Sequence, residues 1–518
     1  MESTDILRSE QWLVVSRLVA DIVILGGGFG GCLTALIARQ IGLRAIIIEG
    51  GRHPRFAIGE SSTPIAGAVL RHLAQTYELP QLLALSRYGL WRKSVPDLLC
   101  GVKRGFSYFS HERDRAFVPS ERHDNELLVT ASADDEHSDT HWYRSDVDAW
   151  LVNEARSLGV EVLEQVHLSG LRGTHPWVLE GVQSERPLVV QGDFLVDATG
   201  GVGLLPDWFS LRSTVDCLRT RSWAIYSHFQ GVKRWNEWLD GNHPMLQDHP
   251  FCCDHAALHH WLDGAWMWNL RFDDERVSAG IVMDIRRHPI DQGRAPQEQW
   301  QTWLQRYPAL AESYSNARLV DPPGALLRTG RLQRLWEKAA GDSWALLPHT
   351  AGFIDPLHST GIAHTLCGVE RLAAIWASSW GHANMAEKLS DYDRIVRSEL
   401  LLVDQLVSGC YAAPNFSVLA AFTMLYFAAA TTYERGRDVA AETFESAFLC
   451  ADSTAWRQTV ASVREWLDRL GSQPHARDVL RFEQRVADAI GPFNQVGLFA
   501  PAIRNMYRYT AAPVDGHS

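Results

Sequence analysis

Three short stretches of the sequence hold residues whose types and spacing could do chemistry. In ADIVILGGGFGGCLTALIARQIGLRAIIIEGG, Gly26, Gly28 and Gly31 form G-x-G-x-x-G between an apolar run and a stretch of helical character. Glycines so spaced permit a tight turn, close backbone approach to a pyrophosphate and close helix–strand packing, while the helix start supplies partial positive charge. Glu49 ends a second apolar run, where a carboxylate accepts hydrogen bonds from a ribose. The second stretch is PLHSTG, Pro356 to Gly361, which opens the helical segment IAHTLCGVERLAAIWA. Free amides at Ser359, Thr360 and Gly361 would bind an anion, and an N-cap by either hydroxyl fits the same residues. His358 just before them titrates near neutrality and can serve as a base or pack at the helix start. The third is GAWMWNLRF, where alternation puts Trp266 and Trp268 on one strand face, a wall that completes a core or lines a ligand.

These residues need a scaffold. The apolar run at 22–25, the helix after it and AIIIE make a βαβ unit, which predicts dinucleotide binding. RSDVDAWLVNEARSLGVEVLE, FLVDATGG and AGFIDPLHSTG lie far downstream, so the cofactor domain is expected to be assembled from distant pieces. The fold class expected is α/β: a Rossmann-like dinucleotide-binding domain, discontinuous over 20–395, with a mainly β domain inserted at about 95–139 and 211–329. WRQTVASVREWLDRLG repeats its apolar positions at helical spacing, so 396–518 is expected to form a helical cap whose end folds back on the body. Among five lysines, Lys103 lies in CGVKRGFSYFSHE, which has a strand pattern, and Lys93 reads as a loop residue.

Composition excludes several classes. The chain of 518 residues carries a formal charge of -12 with no dense basic stretch, which argues against a nucleic-acid partner. Eight cysteines without C-x-x-C spacing suggest a reducing cytoplasm and no structural zinc, so no metal is expected. The N-terminal stretch lacks the pattern of a secretory signal. The apolar run from Val418 is short and broken by polar residues, so it reads as a buried helix rather than a membrane span.

In motif order the chain resembles the flavin-dependent halogenases, a branch of the FAD monooxygenase class with the hydroxybenzoate-hydroxylase-like fold, over roughly residues 20–400. The resemblance implies FAD held by Gly26, Gly28, Gly31 and Glu49, by the I-G-E-S segment (Gly59, Glu60, Ser61), by Arg144, by D-A-T-G (Asp197, Gly200) and by Asp355. It implies a halide near Ser359, Thr360 and Gly361. Trp266 and Trp268 correspond to a W-x-W-x-I-P wall between flavin and substrate, and Lys103 to the lysine that holds hypohalous acid formed by way of a flavin hydroperoxide. FADH2 from a separate flavin reductase, O2 and halide would be consumed, and the substrate would be a small electron-rich aromatic of phenol, pyrrole or indole type, free or tethered to a carrier protein.

Three departures qualify this. Arg271 replaces the proline of W-x-W-x-I-P, His358 stands where tryptophan halogenases have glutamate, and Pro348-His349 occupy the place of the Gly-Asp of many FAD monooxygenases. A loosely held flavin suits supply by a reductase. An FAD-dependent monooxygenase or oxidase on the same scaffold therefore stays open, as does a flavin-binding protein without catalysis.

Overall fold

The computed structural model describes residues 16–241, 243, 246–440, 446–500 and 502–508. Most of the stretch read for a secretory signal, and the end of the cap beyond 508, lie outside the described residues.

The βαβ unit is β1 (Ser16–Leu25), α1 (Phe29–Gln40) and β2 (Ala45–Ile48). Ile22, Val23, Ile24 and Leu25 are all fully buried, as a central strand covered on both faces requires. Each such side chain contributes roughly 1.5–3 kcal/mol of burial. β1 runs parallel to β2 on one side and to the strand Arg186–Asp197 on the other. Glu161–Leu163 extends the sheet beyond β2, and Trp344–Leu346 adds parallel to Arg186–Asp197. Residues 16–25 and 344–346 thus share one eight-stranded sheet.

A two-stranded ladder joins β3 (Cys100–Lys103) to β6 (Asp139–Trp142), beside the nine-stranded second sheet. The second sheet includes β4 (Gly105–Ser110), β5 (Glu126–Thr130), the meander Ala257–Leu262, Ala265–Arg271 and Val277–Asp284, and Ser222–Gln230. Its two faces bury different cores. Phe106, Tyr108, Trp266 and Trp268 face the large core shared with the first sheet, whereas Phe109, Leu128 and Met267 face a separate aromatic core.

The long helices Met385–Ala412 and Phe416–Ala440 meet the first of these faces, through Tyr411 on Trp266 and Tyr426 and Phe427 on Phe106, and Thr454–Leu470 and Ala476–Ile490 pack on those two helices. The expected start of the cap at 396 falls inside the helix Met385–Ala412, because the apolar spacing continues unbroken upstream. Lys93 sits in the short helix Tyr88–Ser94, not in a loop. The segment Phe416–Arg437 is long and apolar enough to cross a membrane, but 83% of its apolar window is buried inside the protein. Met506–Tyr507 pairs parallel to β5, so the chain end returns to the sheet.

Candidate active site

The glycine turn forms one wall of a cleft lined by Gly28, Phe29, Gly30, Arg55, Ile58, Gly59, Arg144, Ala198–Gly201, Leu347, His349, Thr350, Gly361 and Ile362. Gly26 has φ of 101°, and a Cβ there would lie 2.7 Å from the Ala198 carbonyl oxygen. A Cβ at Gly31 would lie 2.0 Å from the Gly26 oxygen, so the turn and the helix can approach only as glycines. The Glu49 carboxylate accepts from the amides of Gly27 (2.8 Å) and Gly51 (2.7 Å) and pairs with Arg55 at 3.1 Å. Burial works against its charge, but Arg55 and the two amides outweigh it and hold the carboxyl below its ordinary value.

Arg144 is the bracket of the cleft. Its guanidinium forks onto Asp148 at 2.9 and 2.8 Å and donates to the carbonyls of Ile58 and Gly59 at 3.1 Å. Asp148 in turn accepts from the Phe29 amide, the first residue of α1. The glycine turn and the I-G-E-S segment are therefore fixed to one another. Asp148 and Arg55 are residues that the motifs did not flag, while His349, noted above as a departure from the family pattern, lines the cleft. His349 is neutral: burial and then the charges of Arg334 and Arg144 push it down to about 3.

Three acids expected at the cofactor do other work. Glu60 is bonded to His228 at 2.8 Å, away from the cleft lining, because the backbone alternates and its neighbour Gly59 takes the cleft side. Asp197 accepts from the Thr199 amide and hydroxyl and from the Leu205 amide, so it shapes the D-A-T-G turn while Ala198 to Gly201 line the cleft. Asp355 accepts from Ser222 (2.6 Å) and Tyr411 (3.0 Å). None of these three carboxylates lines the cleft; each is bonded to protein groups.

Residues 58–62 run from this cleft to a second, buried cluster of side chains. Ile58 and Gly59 line the cleft, Ser61 bridges to His141, and the Ser62 carbonyl accepts from Lys103 Nζ. Lys103 is fully buried, its Nζ 4.3 Å from the centre of the Phe106 ring. Asp139 stands opposite it in the β3–β6 register. Burial lowers Lys103, with Asp139 opposing, and raises Asp139, with Lys103 opposing.

Around this pair lie aromatic and imidazole rings. His259 stacks on Tyr108 at 4.6 Å and approaches Trp266 at 5.2 Å, and His358 stacks on Tyr426 at 4.5 Å. Thr63 Oγ1, Tyr108 Oη, Asp139 Oδ2, His141 Nδ1, His259 Nδ1 and His358 Nδ1 are buried with no hydrogen-bond partner among the described residues. Such orphaned atoms mark a polar guest's place, since buried polar groups in folded proteins are almost always paired. His358 is neutral as well, pushed down to about 3 by burial and then by His259.

The tryptophans hold the face predicted for them. Trp266 Nε1 donates to Tyr411 Oη at 2.8 Å, and that hydroxyl donates to Asp355. Trp268 lies against Gly280, where any Cβ would stand 2.1 Å from its ring. Arg271 falls on the other face with Met267, pairing with Glu275 at 3.0 Å and donating to the Val232 carbonyl at 3.1 Å. The residue in the place of the proline therefore lies on the strand face away from both tryptophans.

The P-L-H-S-T-G turn meets both the cleft and the buried cluster. Ser359, in the left-handed region at φ 52°, precedes the helix Thr360–Ser379 without capping it, and its hydroxyl contacts Ser61 Oγ at 3.1 Å. The first-turn amides are left without a side-chain cap, and Gly361 lines the cleft.

A profile of the tryptophan halogenase family matches residues 137–415, more than half of the chain. The chain belongs to the tryptophan halogenase family. Among curated relatives, the monodechloroaminopyrrolnitrin halogenase PrnC of Pseudomonas fluorescens is 28% identical over 78% of this chain and 70% of its own length. The tetracycline 7-halogenase of Kitasatospora aureofaciens is 27% identical over 67% of this chain, which spans 61% of that relative. The crystal structure of halogenase PltM with phloroglucinol and FAD superposes with a TM-score of 0.82 at 22% identity, covering 95% of this chain and all of that one. A tryptophan halogenase family member is a flavin-dependent oxidoreductase, and the glycine cleft fits FAD. The cysteine spacing that predicted no metal does not speak to one further group among the described residues, His123, Glu126, His243 and His249.

Proposed function

We propose that this protein is an FADH2-dependent halogenase that places chloride or bromide on an electron-rich aromatic ring, with Lys103 meeting the oxidised halogen and Ser359 to Gly361 holding the halide. The observation that carries the assignment of Lys103 is its burial among orphaned polar atoms, one peptide segment away from the cofactor cleft. Bound reduced FAD, with O2, supplies the oxidising power that turns halide into an electrophile.

The chain's own residues do the rest. Gly26, Gly28 and Gly31 admit the diphosphate, Glu49 and Arg55 border the ribose, and Arg144 keeps Gly59 against the cleft. Uncapped amides at Thr360 and Gly361 attract the anion. Residues 58–62 and the Trp266–Trp268 wall keep the aromatic substrate from the flavin, so that only a small oxidant crosses. An N–H of Lys103 donates to that oxidant and aims it at the ring. His358, neutral with a free Nδ1, accepts a hydrogen bond from a substrate hydroxyl or N–H.

Phloroglucinol, bound by the structural neighbour PltM, makes phenols the first substrates to test. A separate flavin reductase is the functional partner, the substrate is free or carrier-tethered, and the eight free cysteines suit a reducing cytoplasm. The test is mass spectrometry of reactions containing FAD, a flavin reductase, NADH, O2 and bromide with phenols, pyrroles and indoles. Wild type yields brominated product, and Lys103→Ala lowers the yield by at least about 100-fold with FAD binding intact. Oxygenated product formed regardless of bromide would replace this reading with a monooxygenase.

A further inference from the structure

We propose that His123, Glu126, His243 and His249 form a structural site for Zn2+, on the face of the nine-stranded sheet opposite Lys103. One potential ligand atom from each of the four residues lies within 4.8 Å of the others. His123 Nδ1 and His243 Nε2 stand 2.5 and 2.7 Å from Glu126 Oε1, and His249 Nε2 stands 3.2 Å from Oε2. The Glu126 side chain is fully buried, and those of the three histidines nearly so.

The donor chemistry selects the metal. Three imidazoles and one carboxylate suit zinc and its transition-metal neighbours and are poor for Mg2+ or Ca2+, which take oxygen ligands. Four protein ligands fill a tetrahedral zinc, leaving no position for substrate, which is the pattern of a structural site. Asp248 Oδ2 lies 3.5 Å from His123 Nε2, the ring nitrogen turned away from Glu126, as the outer carboxylate of a metal-bound histidine does.

Position agrees with a structural role. Along β5, Leu127 and Val129 face the large core that holds Phe106, while Glu126 alternates with them and shares the face of Leu128 and Phe109. His243 and His249 flank the turn Leu246–Asp248, in the long connection between the helix Trp235–Asp240 and the strand Ala257–Leu262. Asn505 donates to the His123 carbonyl at 2.9 Å, and Leu128 N donates to the Asn505 carbonyl. A metal here fastens that connection and the returning chain end to β5.

Full-length protein stripped with a chelator, then titrated with Zn2+ against a chromophoric competitor, tests this. The expected result is saturable uptake of one equivalent, a rise in Tm on binding, and tetrahedral visible bands when Co2+ replaces Zn2+. His243→Ala/His249→Ala loses at least about 100-fold in affinity, while His137→Ala, which alters an exposed histidine outside the cluster, keeps it. If the double variant does not fold, the wild-type stoichiometry and Co2+ spectrum decide alone. Folded wild type that takes up no Zn2+, or a folded double variant that binds it as wild type does, overturns the proposal.

Discussion

Lys103 and Asp139 face one another across the last rung of the β3–β6 ladder, both buried, one on a strand that the sequence singled out and the other on a strand that it did not. A charged pair in such surroundings is costly to form, and burial moves both groups toward their neutral forms.

Asp139→Asn removes the one charge that raises Lys103. The Lys103 ammonium is then easier to deprotonate, so the limb of the pH–rate profile that reports it moves to lower pH. Bromination rates between about pH 6 and 10 check this, and an unmoved limb would detach Asp139 from the lysine.

The glycine turn offers a graded comparison. Gly31→Ala drives a Cβ to within 2.0 Å of backbone and is expected to abolish both FAD binding and cooperative unfolding. Gly28→Ala meets nothing closer than Arg144 at 3.4 Å, with no positive φ. It should fold with a nearly unchanged Tm yet bind FAD more weakly, since its methyl enters the cleft. Flavin titration beside thermal melts separates the two.

His228 gives a stability signature. Burial lowers its pKa, but Glu60 and Asp321 outweigh this and raise it from 6.5 to about 9. The stabilisation is complete below the unfolded value and is lost as pH rises from 6.5 toward 9, on the order of 3 kcal/mol in all. Denaturant unfolding across that range should show the loss, and His228→Gln should remove this portion of it. A wild-type curve flat over the same interval would count against the Glu60–His228–Asp321 arrangement.

Local patterns were readable in the sequence. Glycine spacing, strand alternation and helical periodicity are set by neighbours a few residues away, and β1, α1, β2, the shared face of Trp266 and Trp268 and the helical character of the region after 396 follow from them. Partners set by register are not local. Asp139 meets Lys103 through a ladder whose strands are separated by the whole of β4 and β5, and Asp148 caps α1 from another helix. The contacts of Glu60, Asp197 and Asp355 are not legible for a related reason: a motif fixes the place of a residue, but the side of the backbone from which its carboxylate emerges decides what it touches. The His123–His249 cluster escaped because its two halves lie over 100 residues apart and contain no cysteine.

The cofactor cleft takes lining from residues 28–30, 55, 57–59, 144, 198–201, 347, 349, 350, 361, 362 and 365. A chain emerging from the ribosome therefore has its glycine turn more than 300 residues before the opposite wall. The full lining exists only once segments this far apart in the chain have come together.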